Sequence, residues 1–484
     1  MYSDYEPFRS FLRKQNLLSG LASVWQQMTK IGDADSSVRL QAPENFALDW
    51  ELEIIAREII LNCDGGLASQ NAEVATFDMA QAVNHLRRIN EEISNKSIDT
   101  PEDAMGSMHA LIHQQIPWQD DAPFERISRY AKILQYAPLA RIVESAINIS
   151  ISDMYKIGLA VSGELQRKPY ILSSNYAMTP GIAPGAEKAF FKLVATDIKT
   201  IRQKILSVQH YDSSWAYTYN PLRGNPLIYD ASSPEKLFGI SEKFLLWRIT
   251  DGVYYDINDQ EGFPKAWGEA FDTYIGEVLN AALPLPTFNI RKPTAYEISK
   301  GKIHHGCDWL ISDATGHVFV ECKTKRLTLG AKLNSKNLPL DADIKTLAKS
   351  FIQNYKNINE ALNGLIPNFN AKGLPIFCVV ITLENWRIEL PELKERLDAL
   401  IQQGVALENM PQSIVNDYPY MLLSTQQCEK YFQAVAQHSI SAFFTSKVTM
   451  TRGRYRPLFP NVLAALMPDI AEAAGLGRFG PHRP

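Results

Sequence analysis

The stretch from His305 to Lys323 constrains this chain most tightly: two short apolar runs joined by Asp313-Ala314-Thr315-Gly316. Asp and Thr hydrogen-bond locally and Gly supplies a positive φ, so the segment reads as a tight turn between two strands. Each strand carries an acid where the pattern otherwise takes hydrocarbon. Folding about the middle of the turn sets Asp308 across from Glu321. Directly opposed residues have Cβ atoms about 4.5–5.5 Å apart, and like charges so placed destabilise the pair. A shared divalent cation is the simplest compensation. Glu321 and Lys323 stand two apart and share one face of their strand. A bulge at the turn would shift this pairing by one residue.

With 484 residues, 45% of them hydrophobic, the chain can bury a large core and is expected to form two or three domains. A net charge of −4 excludes a global basic field, so any phosphate contact must come from a local patch. Five cysteines with no CxxC pair argue against a zinc module or a disulfide framework and fit a reducing cytoplasm. The opening MYSDYEPFRSFLRKQ has no signal-type apolar core, and no run approaches the ~18 apolar residues of a membrane span. A cytoplasmic protein with no membrane partner is expected.

Residues 1–220 read as an all-helical domain. Leu48, Leu52, Ile55 and Ile59 recur at helical spacing, Thr76-Phe77-Asp78 opens a second helix, and Thr100-Pro101 supplies an N-cap with Pro at the first helical position. Further helices are expected near 122–135, 138–149, 152–165 and 184–207. The stretch from Tyr219 to Ile228, rich in Pro, Gly and Asn, predicts the boundary. A second domain, 221–445, follows: a helix near 234–249, an extended Val253-Tyr254-Tyr255, a helix over 264–282, an extended 287–298 and the hairpin. A helix over 341–362 comes next, then the continuous apolar strand Ile376 to Thr382, a helix near 390–402, a strand at Tyr420 to Leu423, and a helix at 425–436. This is an α/β pattern with a central mixed sheet. Residues 446–484 form a basic tail in which Arg452, Arg454 and Arg456 surround Tyr455.

Asp308, a dozen residues, and then Glu321-Cys322-Lys323 resemble the D-x(n)-E-x-K signature of the PD-(D/E)XK, or restriction-endonuclease-like, nuclease superfamily. The predicted helix, three strands, helix, strand order over roughly 250–430 is similar to that family's core, although no Pro precedes the acid. The resemblance implies a metal-dependent nuclease. Asp308, Glu321 and the Cys322 carbonyl would be ligands of Mg²⁺ or Mn²⁺, hard cations suited to oxygen donors. Lys323 would orient or deprotonate water, or stabilise charge on phosphorus. Such sites carry a further acid on the preceding helix. On a wheel centred near Phe271 and Val278, Asp272 lies about 100° off and Glu269 about 160° off, so Asp272 at the border is the first choice and Glu269 the second. DNA is favoured over RNA as substrate by the same resemblance. An effector domain behind a large helical module, which would bind a protein partner or control the site, suits bacterial defence or a mobile element.

Charge near the hairpin fits a polyanion. Between Arg291 and Lys336 there are nine Lys and Arg against four acids. Gln353 and Tyr355 fall where auxiliary polar residues of such a cleft are expected, although both also suit a plain helix surface. The Gly475 to Gly480 segment matches GxGxxG but follows no strand and opens no helix, so dinucleotide binding is not expected. His109 and His113 lack the Glu of HExxH. His305 is expected to flank the cleft and Cys307 to pack inward. A bland alternative reads Lys323 as a cross-strand salt bridge with Asp308 or Glu321. A second function class is a non-catalytic module that binds nucleic acid or protein on the same fold. A third is an enzyme of small phosphorylated substrates.

Overall fold

Among the described residues both halves of the chain contain helices and strands. A computed structural model describes residues 2–33, 47–67, 77–98, 100–119, 123–177, 180–333, 338–388 and 390–445. The basic tail, the glycine-rich 475–480 segment, Thr76 and Lys336 lie outside the described residues. Two compact units meet at Phe263/Pro264. Among the described residues no helix is long and apolar enough to cross a membrane.

The first unit is organised around the helix Asp49–Asn62, whose residues 49 and 51–60 are all buried. Leu52, Ile55 and Ile59 supply the expected apolar face. The buried charges on the same helix are paired, as a dry interior requires. Glu58 bonds the Tyr5 hydroxyl at 2.6 Å and pairs with Arg57 at 2.8 Å. Glu53 receives Arg223 at 2.6 and 2.7 Å and Trp118 Nε1 at 3.0 Å.

Two expectations for this half need correction. The domain is not all-helical: β1 (Tyr170–Leu172), β2 (Ala195–Asp197), β3 (Leu227–Tyr229) and β4 (Lys236–Gly239) form a sheet in the order β1-β4-β3-β2. Strands of three or four residues are too short to display a period of two. The helix expected over 184–207 breaks at β2, because Asp197 accepts from the Lys199 and Thr200 amides and caps a new helix, Ile198–Val208. Likewise β4 replaces the first turn of the helix expected near 234, and Tyr254–Ile257 is helical rather than extended. The Pro/Gly/Asn-rich stretch is not the boundary either. Asn220 Nδ2 donates to the Glu53 carbonyl at 3.0 Å, Arg223 pairs with Glu53, and Arg248 Nε donates to the Gly224 carbonyl at 2.9 Å. These bonds tie that loop into the first unit.

The second unit opens with the helix Phe263–Ala282, then β5 (Asn289–Arg291), a hairpin of β6 (Tyr296–Ser299) and β7 (Lys302–His304), β8 (Trp309–Ser312) and β9 (His317–Lys323). The crossover helix Leu338–Leu362 leads to β10 (Ile376–Thr382), the helix Pro391–Leu407, β11 (Tyr420–Ser424) and the helix Thr425–His438. The sheet order is β11-β10-β9-β8-β5. β5, β8 and β9 are antiparallel neighbours, whereas β10 runs parallel to β9 and β11 parallel to β10. All seven β10 residues are buried, as expected of a strand covered on both faces. From the crossover helix Asn354 Nδ2 donates to the Phe319 and Val379 carbonyls at 2.8 and 3.1 Å, fastening that helix to β9 and β10.

The helix Phe263–Ala282 buries Phe271, Ile275 and Val278. It approaches β8 so closely that a Cβ at Gly276 would stand 2.2 Å from Trp309 Cζ2. Gly276→Ala should therefore displace the indole and lower stability by about 1–3 kcal/mol. Thermal unfolding and tryptophan emission measure this, and an unchanged midpoint would disprove the contact.

Candidate active site

The hairpin positions the site. Asp313 Oδ1 accepts from the Thr315 amide at 2.7 Å, the Thr315 hydroxyl at 2.7 Å and the Gly316 amide at 2.9 Å, closing the turn without a bulge. The register runs from Ser312↔His317 to Trp309↔Val320. One further step sets Asp308 beside Glu321. Asp308 itself lies just outside β8, and its Oδ2 accepts from the Cys322 amide at 2.7 Å.

Glu321 is the least exposed of the acids here, with its side chain 3% accessible. Its Oε1 accepts from Lys323 Nζ at 2.6 Å. Its Oε2 is buried and has no hydrogen-bond partner. A buried carboxylate oxygen left so costs free energy and calls for an explanation. Burial, and then the neighbouring Asp308 charge, push the Glu321 carboxyl up to about 7 despite Lys323. Burial also raises Asp308, partly offset by the Cys322 amide, with the Asp272 charge adding to the rise. The three carboxylates thus share one electrostatic neighbourhood.

Asp272 reaches it from the preceding helix. Its Oδ1 accepts from Trp309 Nε1 at 2.8 Å, and its other oxygen is paired with Lys292. The Lys292 ammonium stands 4.7 Å from the Trp309 ring centroid, over its face. Glu269, the second choice, is 43% exposed and stands 3.9 Å from Lys265. The structure therefore brings Asp272, and not Glu269, to the residue that follows Asp308.

Lys323 Nζ lies 3.3 Å from Gln353 Oε1, so Gln353 joins the group. Tyr355 does not: it is fully buried and donates to the Tyr418 carbonyl at 2.9 Å. Cys307 packs inward, with Sγ 3.3 Å from the Trp309 carbonyl, and His305 is exposed. His304 is bound to Glu360 at 2.9 Å. Burial holds the Cys322 thiol well above its usual pKa. Among the described residues no three His, Cys, Asp or Glu side chains are placed to hold one metal ion together. Two carboxylates with a main-chain carbonyl are a different donor set. Mg²⁺ is commonly bound by one or two carboxylates, keeping several waters and substrate phosphate as its other ligands.

Sequence reasoning missed Lys292 and Trp309 as neighbours of the acids; only the local excess of lysines pointed towards the first. It also overstated the free charge after β9. Lys325 pairs with Asp343 at 3.0 Å, and Arg326 and Lys332 both pair with Glu384. Those cations are engaged within the fold. Compared with protein-family models, curated proteins and solved structures, the chain finds no match.

Burial by itself would raise the Glu384 carboxyl, but the Arg326 and Lys332 charges hold it down to about 2. A depressed acid stabilises the fold above its unfolded value of 4.5 and loses that contribution as pH falls through about 2. Glu384→Gln should lower stability near neutrality and flatten its decline over that acid window. Denaturant unfolding at stepped pH tests this, and a decline as steep as that of the unaltered chain would rule out the paired cluster.

Proposed function

We propose that the second unit is a metal-dependent nuclease of the PD-(D/E)XK type, hydrolysing phosphodiester bonds of nucleic acid, with DNA favoured by the resemblance. The observation that carries this reading is the orphaned, buried Oε2 of Glu321 beside Asp308. It is supported by the order of elements, a helix, an antiparallel β5-β8-β9 meander, a crossover helix and a parallel β10. The donors are hard oxygens, which fit Mg²⁺ or Mn²⁺ and not a soft metal. Asp308, Glu321 and the Cys322 carbonyl would hold the ion.

When bound, such an ion supplies charge neutralisation at phosphate and lowers the pKa of an attacking water. The chain's own groups do the rest. The Cys322 amide orients Asp308, and Lys323 fixes Glu321 while presenting an ammonium to the charge that builds on phosphorus. Gln353 restrains Lys323 from the crossover helix. Asp272, held by Trp309, adds negative charge and stands ready to orient water or ion. The first unit would recognise a partner or control this activity, in a setting such as bacterial defence or a mobile element.

The experiment is cleavage of DNA and RNA in Mg²⁺ or Mn²⁺. Lys323→Ala and Asp308→Ala should each reduce the rate by about 10²–10⁴-fold. Cleavage by both variants at the unaltered rate overturns the assignment. Salt-sensitive binding without turnover in the unaltered chain would instead favour a binding module on the same fold.

A further inference from the structure

The β6–β7 hairpin is not part of the five-stranded sheet; it forms a separate two-stranded ribbon inserted between β5 and β8. Its tip is Lys300-Gly301-Lys302, with Gly301 at φ +82°. The Glu297 carboxylate accepts from the Gly301 amide at 2.6 Å, which closes the tip. Lys300 and Lys302 are exposed, and among the described residues neither takes part in an ion pair. Beside them Ile303 is 62% exposed. The other end of the ribbon is anchored: the Tyr296 hydroxyl and His304 Nδ1 both bind Glu360 of the crossover helix. Only His305, Gly306 and Cys307 separate β7 from Asp308. Gly306, at φ +72°, sits where a Cβ would be 2.9 Å from Pro293, so the exit from the ribbon is tightly packed.

A ribbon anchored at its base, with two exposed lysines and an exposed Ile near its tip, suits a partner that lines a groove with phosphates and sets methyl groups among the polar edges of its floor. Duplex DNA has that profile. Two strands about 4.8 Å apart fit a B-form major groove about 12 Å wide. The deep, narrow major groove of A-form RNA does not admit side chains. The register shift between Glu297 and Ser299 adds right-handed twist, which helps a ribbon follow a groove. Arg326, Lys325 and Lys332 are engaged inside the fold, whereas Lys300 and Lys302 are exposed at the tip of the ribbon that leads into Asp308.

We infer that the β6–β7 hairpin is a DNA-binding arm that enters the major groove, Lys300 and Lys302 meeting phosphates and Ile303 meeting base edges. This rests on the nuclease reading only for its purpose, delivery of a duplex to Asp308, and not for its test. Binding of the full chain to one labelled sequence is measured without metal, by fluorescence anisotropy, as duplex DNA, duplex RNA and single strand. Duplex DNA should bind best. Lys300→Ala/Lys302→Ala should flatten the plot of log affinity against log salt by about 2 units of slope, so its deficit shrinks roughly tenfold between 50 and 200 mM salt. Lys300→Arg/Lys302→Arg should keep the original slope. Ile303→Ser should keep the slope but lose preference for duplex DNA over duplex RNA. All three variants should unfold at the original midpoint, since these side chains are exposed.

An unaltered slope in the alanine variant, equal binding of duplex RNA, or no duplex DNA binding by the unaltered chain overturns the inference. Failure of the nuclease reading looks different: binding through Lys300 and Lys302 persists while Mg²⁺ and Mn²⁺ elicit no cleavage. Lys323-dependent cleavage together with an unaltered slope would remove the arm and leave the nuclease.

Discussion

Glu321 puts a carboxyl group on β9, a strand whose first five residues are buried, and the rest of the site is arranged around that burden. Burial disfavours its ionised form, and Asp308 next to it adds repulsion. Lys323 answers on one oxygen only. The other oxygen stays without a partner, at the end of the hairpin where the chain enters β8. Such a group weakens rather than strengthens the sheet, because apolar side chains of similar volume would pack there without the desolvation cost. Its neighbours are each held in place: Asp308 by a main-chain amide, Asp272 by an indole, and Lys323 by Gln353.

Rigidity around these groups comes from packing. Gly276 lets the preceding helix lie against Trp309, and this contact places Asp272 within reach of the indole nitrogen. Asn354 ties the crossover helix to β9 and β10, and the same helix carries Gln353 to Lys323 and Glu360 to the β6–β7 ribbon. One helix thus bears on three parts of the site region.

What is legible in the sequence, and what is not, follows from the range of the forces involved. The β8–β9 register was legible because Asp313 and Gly316 define a turn by local hydrogen bonds and a turn sets every pair beyond it. The position of Asp272 at the border of its helix with the sheet was legible because a helical wheel needs only the positions of apolar residues. The strands of the first unit were not, being three or four residues long and formed by pairing across distant chain. The boundary was misplaced because Pro, Gly and Asn mark a loop but not whether its bonds point inward, as those of Asn220 and Arg223 do.

By itself, the sequence determined the acids and lysine of the hairpin, their facing pairs, the buried β10 strand and the helices on either side, since periodicity and turn chemistry act over a few residues. Only the tertiary structure decided which charges remain available. Arg326, Lys332 and Lys325 look like phosphate contacts in the chain and prove to be partners of Glu384 and Asp343, whereas Lys300 and Lys302 stay exposed. It also decided that Glu321 keeps one oxygen unanswered. Ion pairing depends on side chains meeting across elements far apart in sequence, and no local pattern encodes that meeting.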